Sequence, residues 1–353
     1  MASKTAVGLD IGTSSVRAAQ VSFGKGVSTL DRFGQVALPA GAVRDGEVID
    51  SGAVSAALKQ LWEQTKFTTK KVVLGVANQK VVVRQVDLPW LPGDELRQSL
   101  PFQVQDYIPI PVEQAILDYH ALEELVDDSG ARILRVLLVA ASRDMVNSIV
   151  GAVTAAGLKP TAVDLTSFAL LRSLVNADEL GMATSAEALV DIGANVTNIV
   201  VHQGGSPRFV RILLMGGGDV TEALAERAGV PLEHAESLKQ SVGMGIPSQA
   251  DAHPAARVIE SVGGSLVEEI RGSLDYYSAQ PAAVRIGRII LTGGGSRLGG
   301  FADRLSASTR LPVELGTALS GMKIGKTGLS SEQLDYITPL ASVPVGLALG
   351  VNA

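Results

Sequence analysis

Cysteine is absent from the 353 residues, which excludes disulfide bridges, thiolate zinc sites and cysteine nucleophiles. Aromatic residues make up only 4% of the chain, too few to build the stacking platforms that hold single-stranded nucleic acid. Positive charge is also in deficit, since 30 Lys and Arg face 36 Asp and Glu and leave a net charge of -6. We therefore expect protein or small-molecule partners and no nucleic acid.

Long hydrophobic runs are missing too. No apolar stretch reaches the roughly 18 residues that a membrane-spanning helix needs, and the first residues lack the pattern of a signal peptide. The histidines are scattered without the spacing of metal ligands, so we expect no metal site built by the protein alone. The chain does have 46% hydrophobic residues and a mean hydropathy of +0.27, which predicts substantial cores in two lobes of a cytoplasmic protein.

One pattern occurs twice along the chain: an apolar strand, Asp-Ile-Gly, a polar turn and a second apolar strand. The first copy is VGLDIGTSSVRAAQV at 7–21 and the second is ALVDIGANVTNIVV at 188–201, with Asp10 and Asp191 at equivalent positions. Strands and helices alternate through the rest of the chain, including a helix that begins after Asp50 or Ser51 as its cap. The repeat and the alternation predict an α/β protein with two similar halves.

Each Asp-Ile-Gly turn has the composition of a phosphate site. A turn that directs the backbone amides of residues 12–14 inward forms an anion-binding concavity. Asp10 beside it can hold Mg²⁺ through water, and Arg17 supplies positive charge for distal phosphates. For one hairpin alone, an aspartate that merely caps the turn is the better explanation. Two hairpins, together with the strand, glycines and helix of IILTGGGSRLGGFADRL at 289–305, favour a nucleotide site.

Several segments resemble, in the correct order, the motifs of the actin-like ATPase superfamily of actin, sugar kinases and heat-shock chaperones. LDIGTSSVR at 9–17 and LVDIGANVTN at 189–198 resemble its two phosphate motifs, and LTGGGSR at 291–297 resembles its adenosine motif. AVDLTSFALL at 162–171 and VGLALG at 345–350 resemble the two connecting helices, whose small residues allow a close crossing, and PLEHAESLKQSVG at 231–243 resembles the ribose-contacting helix.

The resemblance implies an α/β, actin-like ATPase fold with two lobes of duplicated ribonuclease-H-like subdomains, and it implies ATP and Mg²⁺ as cofactors. Asp10 and Asp191 are the implied metal residues, which hold Mg²⁺ through nucleotide and water. The residues implied in cofactor binding are Asp10, Gly12, Thr13, Ser14, Arg17, Asp191, Gly193, Asn195, Gly217, Glu236, Lys239, Gly293, Gly294, Gly295, Ser296 and Arg297. Glu236 and Lys239 stand at the family's sugar positions.

Hydrolysis is expected to be slow or absent, because the sequence departs from the active pattern. Thr166 stands where vigorous ATPases of this fold carry a glutamate or glutamine that orients the attacking water. Asp164 lies two residues earlier and is the one weak candidate for a catalytic residue. Ala194 replaces an acidic residue of actin, and Asn198 replaces a histidine.

The stretch before the first connecting helix resembles the PilM family of type IV pilus assembly proteins. The likeness is carried by YIPIP at 107–111, LDY at 117–119 and EEIRGSLDYYSAQ at 268–280. The related FtsA cell-division proteins carry an inserted subdomain at the same place but end in an amphipathic membrane helix. This chain ends soon after VGLALG at 345–350, which favours the PilM family.

The resemblance also implies domain boundaries. The first lobe is predicted over 1–185, with its core in 1–82 and 160–185 and an FtsA/PilM-type inserted subdomain in about 83–159. The second lobe is predicted over 186–353, with its core in about 186–215 and 286–343 and an inserted subdomain in about 216–285. Residues 344–353 are predicted to form a connecting helix that packs back on the first lobe.

The implied function is that of a cytoplasmic ATP-binding adaptor in the inner-membrane assembly complex of the type IV pilus, or of a related type II secretion-like system. Such an adaptor would bind the cytoplasmic N-terminal tail of PilN, with residues 94–119 as the candidate surface, and link it to the assembly motor ATPase. It could also self-associate. Two alternatives stay open: a small-molecule kinase of the same fold, for which Asp164 is the only candidate base, and an FtsA-like division protein. Residues 94–119 could instead be a purely structural insertion.

Overall fold

The computed structural model describes residues 4–24, 26–175, 184–245 and 254–352. Within these ranges the strands are β1 (Lys4–Ile11), β2 (Ser15–Phe23), β3 (Ser28–Ala37), β4 (Val43–Arg44), β5 (Glu47–Val48), β6 (Lys71–Val76), β7 (Val81–Pro89), β8 (Ala115–Val126), β9 (Arg132–Ser142), β10 (Lys159–Leu165), β11 (Ala186–Ile192), β12 (Thr197–Gln203), β13 (Ser206–Leu213), β14 (Ile286–Thr292), β15 (Val313–Leu315) and β16 (Lys323–Ile324). The helices are α1 (Ser51–Thr65), α2 (Gly93–Gln103), α3 (Arg143–Ala155), α4 (Thr166–Leu174), α5 (Gly217–Ala228), α6 (Leu232–Val242), α7 (Pro254–Ser278), α8 (Phe301–Thr309) and α9 (Ser331–Leu349). None of these helices is both long enough and apolar enough to cross a membrane.

The first sheet has six strands in the order β10-β6-β1-β2-β3-β16. β1, β2 and β3 form an antiparallel meander, and β6 and β10 extend it in parallel on the other side of β1. Its core includes Leu9, Val16 and Leu74, which are completely buried with side chains of α1 and α3. The strand β16 lies within the range 286–343 that the sequence assigns to the second lobe, yet it pairs with β3.

The second sheet repeats the first. Its order is β13-β12-β11-β14-β15, with β11, β12 and β13 antiparallel and with β14 and β15 added in parallel. This matches β3-β2-β1-β6-β10 strand for strand. The helices α5, α7 and α8 contribute to its core. The duplication that the Asp-Ile-Gly repeat predicts is therefore confirmed, and so is the α/β class.

A third, smaller sheet has the order β7-β9-β8 and is antiparallel throughout. It lies in the chain between β6 and β10, where the sequence predicts an inserted subdomain. Leu96 and Leu100 of α2 pack with residues of β7 and β9 in a separate apolar cluster. The helix α3 falls inside the predicted insert by sequence, but its buried face, including Ile149, belongs to the core of the first sheet.

The helices α4 and α9 cross closely at small residues. A Cβ atom on Gly346 would collide with the carbonyl oxygen of Ala169, and one on Gly8 of β1 would collide with that of Pro344. A side chain at either position would force the elements apart. The close crossing that the sequence predicts for 162–171 and 345–350 is confirmed.

Local sequence rules also fix the start of α1. Asp50 is its N-cap, and its side chain accepts a hydrogen bond of 2.9 Å from the backbone N–H of Ala53. Val54, Leu58 and Leu61 recur at helical spacing and are buried. A cap of this kind is worth about 1 kcal/mol, while the apolar face supplies most of the stability of a helix in a protein.

Candidate functional site

The turn between β1 and β2 has unpaired backbone donors. The N–H of Gly12 donates to the carbonyl of Ser15 at 3.0 Å and closes the turn. The N–H groups of Thr13 and Ser14 make no hydrogen bond within the described residues. Backbone N–H groups left free in a turn attract anions.

The turn between β11 and β12 repeats this geometry. The N–H of Gly193 donates to the carbonyl of Val196 at 2.9 Å, and the N–H groups of Ala194 and Asn195 are without partners in the part of the chain that the structure describes. A Cβ on Gly193 would lie only 2.7 Å from the Val196 oxygen, so glycine is needed at this tight position. Each hairpin therefore offers two adjacent amides.

The N-terminus of α5 supports the second turn. The N–H of Gly217 donates to Gly193 O at 2.9 Å, and that of Gly218 donates to Ala194 O at 2.6 Å. A Cβ on Gly216 would lie 2.5 Å from both of these oxygens. The first amides of α5 are consequently used to hold the turn, and the amides of the turn itself are the ones left free.

Two carboxylates lie beside the turns, one on each hairpin: Asp10 is partly buried and Asp191 is buried. Arg17 of β2 lies opposite Asp10 and donates a 3.5 Å hydrogen bond to its carboxylate. Asn198 of β12 lies opposite Asp191 and donates to that carboxylate at 3.3 Å. Burial raises the pKa of Asp10, and Arg17 opposes the rise. Burial, with a further contribution from the Asp10 charge, raises the pKa of Asp191 to about 7, partly offset by the Asn198 hydrogen bond.

The glycine loop after β14 packs against the second hairpin. Gly293 has φ +84, where glycine is favoured, and a Cβ there would collide with the carbonyl oxygen of Ile192 and lie 2.5 Å from Asp191 Oδ1. Its N–H donates to Pro339 O of α9 at 3.1 Å, and its carbonyl accepts from Ser296 Oγ at 2.7 Å. The loop is thus fixed between the Asp191 hairpin and α9.

One cleft is lined by residues from both hairpins and from this loop. The predicted site residues that line it are Asp10, Gly12, Thr13, Ser14, Arg17, Asp191, Gly193, Gly293 and Gly294. Those that do not line it are Asn195, Gly217, Glu236, Lys239, Gly295, Ser296 and Arg297. Thr166 and Ala194, the two departures from the hydrolytic pattern, also lie in its wall.

The predicted sugar and adenosine residues make contacts inside the protein. Lys239 and Glu236 form an ion pair of 2.7 Å. Partial burial acts to raise the pKa of Glu236, but hydrogen bonds from Lys239, Thr221 and Gln240 together lower it. The guanidinium of Arg297 lies 3.7 Å from the centre of the Tyr336 ring and donates to the Tyr336 carbonyl at 2.7 Å.

Asp164 is engaged elsewhere. Its carboxylate is ion-paired with Arg172 of α4 and accepts a 2.7 Å hydrogen bond from the N–H of Leu165. Arg172 also donates to Gly346 O of α9 at 2.9 Å. The structure does not place Asp164 among the residues that line the cleft, so nothing in its geometry favours the kinase alternative, which needs a free base there.

A family model described as type IV pilus assembly protein PilM matches residues 8–351. The chain belongs to the PilM family. Its resemblance to that family is thereby confirmed, and with it the description of the protein as an actin-like protein of type IV pilus assembly.

Similar proteins agree with membership of the PilM family. A solved PilM-PilN type IV pilus biogenesis complex contains a chain that is 28% identical, with a TM-score of 0.86 and coverage of 98% of both chains. Cell division protein FtsA of Neisseria meningitidis is 26% identical over 96% of this chain and 88% of its own. MreB5 of Spiroplasma citri bound to AMPPNP is only 12% identical, covers 98% of this chain and 95% of its own, and has a TM-score of 0.58; it shows the actin-like fold alone.

Several cleft residues of this PilM family member are not identified by its motifs. They include Gly46, Ile149 and Pro339. The sequence does carry a signal for Gly46, because the dipeptide Asp-Gly is typical of turns with positive φ. In the structure Asp45 and Gly46 form such a turn, with φ angles of 52° and 76°. No sequence signal places Ile149 at the cleft, since its helical spacing predicts only that it lies on a buried face.

The donor set limits what metal this site could hold. Among the described residues no three His, Asp or Glu side chains converge on one point. Asp10 and Asp191 supply oxygen ligands of the kind that Mg²⁺ prefers, but two carboxylates leave most of its six positions to other oxygens. The residues fit Mg²⁺ that arrives with phosphate and water, as the sequence predicts, and do not form a cage for a bare cation.

Proposed function

We propose that this protein is a nucleotide-binding adaptor of the type IV pilus inner-membrane assembly complex, which holds MgATP, hydrolyses it slowly or not at all, and docks the cytoplasmic tail of PilN. The observation that carries the nucleotide part is the arrangement of two turns on one cleft, each with a pair of free amides and a carboxylate that is partly buried in Asp10 and buried in Asp191. The N–H donors of Thr13, Ser14 and Ala194, together with Arg17, suit a chain of phosphates. In the MreB5 neighbour the same fold is bound to AMPPNP.

Bound nucleotide would be held from both sides of the cleft. Thr13 and Ser14 would donate to one part of the triphosphate, and Ala194 to another. Asp10 and Asp191 would bind Mg²⁺ through its water ligands, and the ion would neutralise phosphate charge. Because burial already disfavours the ionised form of Asp191, a divalent cation beside it relieves an electrostatic cost.

Slow or absent hydrolysis is supported by the side chains that line the cleft. The hydroxyl of Thr166 is a poor substitute for a carboxylate or carboxamide that orients water. Asp164 is neutralised by Arg172 and lies outside the lining. Asp10 and Asp191 would be committed to the metal, so no acid is left over as a base.

The partner surface is proposed on residues 94–119. Phe102 is 78% exposed and Tyr107 40% exposed, and both flank the buried row by which α2 packs on the small sheet. Five acidic residues and one arginine fall in this stretch, and that arginine, Arg97, is paired with Asp118 at 3.1 Å. Aromatic side chains beside acids that make no ion pair among the described residues favour a peptide with apolar and basic residues. The solved complex that contains a chain similar to this one pairs PilM with PilN.

The same proposal accounts for location and further partners. The protein would be cytoplasmic and would reach the inner membrane through PilN, and it would connect PilN to the assembly motor ATPase, with self-association as a further contact. Nucleotide would then act on assembly by changing affinity for a partner, because a binding site without turnover can still be coupled to another site.

Titration calorimetry with MgATP tests the nucleotide part. We expect wild type to bind and Asp10→Ala to lose affinity at least tenfold, while Asp275→Ala, at a side chain that is 68% exposed, binds as wild type does. A single-turnover assay should show little phosphate release over many minutes. Brisk release that Asp10→Ala abolishes would overturn slow hydrolysis, and absence of binding by wild type would overturn the nucleotide site.

A titration with a synthetic N-terminal PilN peptide tests the partner part. We expect Phe102→Ser and Tyr107→Ser to weaken binding at least fivefold with MgATP affinity intact. Tyr276→Ser is the matched control, because Tyr276 is 60% exposed but lies on α7 of the second lobe. If all three variants bind the peptide like wild type, the surface is wrong. Repeating the titration with MgATP gives the coupling free energy, which would be about 1 kcal/mol or more if nucleotide regulates docking.

A further inference from the structure

Lysines gather at one edge of the first sheet. The strands β1, β6, β10 and β16 run in the same direction, so their first residues lie at the same edge, and each of the four begins with a lysine. Two further lysines lie in the loop that leads from α1 into β6. Six of the eleven lysines in the sequence are therefore brought to this edge: Lys4, Lys66, Lys70, Lys71, Lys159 and Lys323.

The charges of this lysine edge are not balanced within the protein. All six side chains are exposed, and in the part of the chain that the structure describes none of them forms an ion pair, since the paired lysines are Lys80 and Lys239. Lys71 and Lys159 are register partners on neighbouring strands, where like charges destabilise a sheet. No Asp or Glu occurs in 4–9, 66–76, 159–163 or 323–330. An anionic partner would therefore relieve a repulsion that the fold itself leaves in place.

The shape and the apolar content of the edge indicate the kind of anion. Six strands at a spacing of about 4.8 Å make an edge roughly 24 Å long, which can meet several phosphate groups at once. Val27, just before β3, is 39% exposed, and Ile324, next to Lys323, is 42% exposed. Lysines beside exposed aliphatic side chains suit the headgroup region of an anionic bilayer, where the amines meet phosphates and the apolar groups reach the acyl boundary. Aliphatic side chains add little to contacts with the sugar-phosphate backbone of a nucleic acid.

We propose that the lysine edge binds the anionic phospholipid surface of a membrane directly. This goes beyond the proposed function, in which the protein reaches the membrane through PilN, and it requires neither PilN nor nucleotide. The net charge of -6 repels an anionic surface everywhere else, so the charge distribution also sets the orientation. The strands β1 and β6 run from this edge towards Asp10 and Val76, which line the cleft, and the cleft would consequently stay open on the side away from the bilayer.

Co-sedimentation of the whole chain with lipid vesicles tests the proposal in the absence of PilN and nucleotide. We expect binding to vesicles of phosphatidylethanolamine that contain one quarter phosphatidylglycerol, and binding at least tenfold weaker to vesicles of phosphatidylcholine alone. Each lysine near an anionic membrane surface contributes about fivefold in affinity. The triple variant Lys70→Gln, Lys71→Gln, Lys159→Gln should therefore bind the anionic vesicles at least twentyfold more weakly. It should unfold at a temperature no lower than wild type does, because a repulsion is removed.

A second triple variant controls for the change in net charge. Arg227→Gln, Arg285→Gln, Arg310→Gln removes three charges from exposed side chains of the second lobe that form no ion pair among the described residues. We expect this variant to bind anionic vesicles within twofold of wild type.

Three results would overturn the lipid assignment. The first is equal binding of wild type to anionic and to neutral vesicles. The second is a lysine variant that binds within twofold of wild type, or an arginine variant that loses as much as the lysine variant. The third is binding of wild type to a short DNA duplex that is as tight, per phosphate group, as its binding to anionic vesicles at the same salt concentration, which is the behaviour of a site for any polyanion. None of these results depends on whether the protein binds MgATP or PilN, so the proposed function is tested separately.

Discussion

Replacing Asp191 with asparagine should make the nucleotide-free protein more stable while it abolishes MgATP binding. Asp191 is 8% exposed, and burial followed by the nearby Asp10 charge raises its pKa from the ordinary 3.8 to about 7. Asparagine has nearly the same shape and never ionises. The substitution therefore removes the cost of the buried charge and also removes the metal-side carboxylate.

The sign of the effect follows from proton binding. Between about pH 4 and pH 7 the folded protein keeps a proton on Asp191 that the unfolded chain has released, so the free energy of unfolding falls by about 1.4 kcal/mol per pH unit as pH rises. The fall is complete above the folded pKa of about 7, where it amounts to about 4 kcal/mol. Asp191→Asn should be more stable than wild type by up to that amount at pH 8, and by less than 2 kcal/mol at pH 5.

The surroundings can accept the new amide. Asn198 now donates to Asp191, and its own Oδ1 is buried with no hydrogen-bond partner among the described residues. An asparagine at 191 could donate to that oxygen, so the two carboxamides need not place donor against donor. We therefore expect no new unsatisfied group to cancel the gain.

Urea unfolding at pH 5 and pH 8 measures the difference. The surface variant Asp275→Asn controls for the loss of one charge, and calorimetry with MgATP measures binding on the same samples. The reasoning fails if Asp191→Asn is no more stable than wild type at pH 8, or if its advantage does not grow between pH 5 and pH 8. It also fails if the variant retains full affinity for MgATP.

Other predictions concern packing, the helix cap and hydrolysis. Gly346→Ala should lower stability by about 1–3 kcal/mol or more in thermal unfolding, because its Cβ would collide with Ala169 O; unchanged stability would contradict the close crossing. Asp50→Ala should lower the free energy of unfolding in urea by about 1 kcal/mol through loss of the α1 cap, whereas Asp50→Ser should retain most of it. Thr166→Gln should raise single-turnover phosphate release at least tenfold by supplying a group that orients water, and an unchanged rate would mean that Thr166 does not face the reacting phosphate.

The parts of the structure that follow from the sequence are those governed by local rules. The repeated Asp-Ile-Gly hairpins could be predicted because strand alternation and a glycine turn are local, and two copies imply two similar sheets. The close approach at Gly346 could be predicted from small residues in a helical segment. The short strand β16 could not, because two residues, Lys323 and Ile324, carry no periodic signal and pair with β3 nearly three hundred positions away.

The chemistry of single residues depended on distant partners, and there the motifs were less informative. Lys239 is identified by its motif, but its contacts with Gly217 and Thr221 of α5 could not be predicted from that motif. Asp164 has the right residue type for a base, but Arg172 neutralises it. In both cases the sequence identifies the side chain, while its partners are set by tertiary hydrogen bonding.

The two halves of the cleft differ at one equivalent position, and this difference bears on how the site would work. Arg17 and Asn198 occupy the same place in the repeat, each opposite its aspartate on the neighbouring strand. The first hairpin therefore carries a balanced pair of charges, whereas the second has a carboxylate with only a neutral partner. Phosphate oxygens can approach Arg17 directly, but they meet an uncompensated charge near Asp191 unless a proton or a cation is there. Binding of nucleotide without Mg²⁺ should consequently be weaker at pH 8 than at pH 6, and Mg²⁺ should remove that dependence.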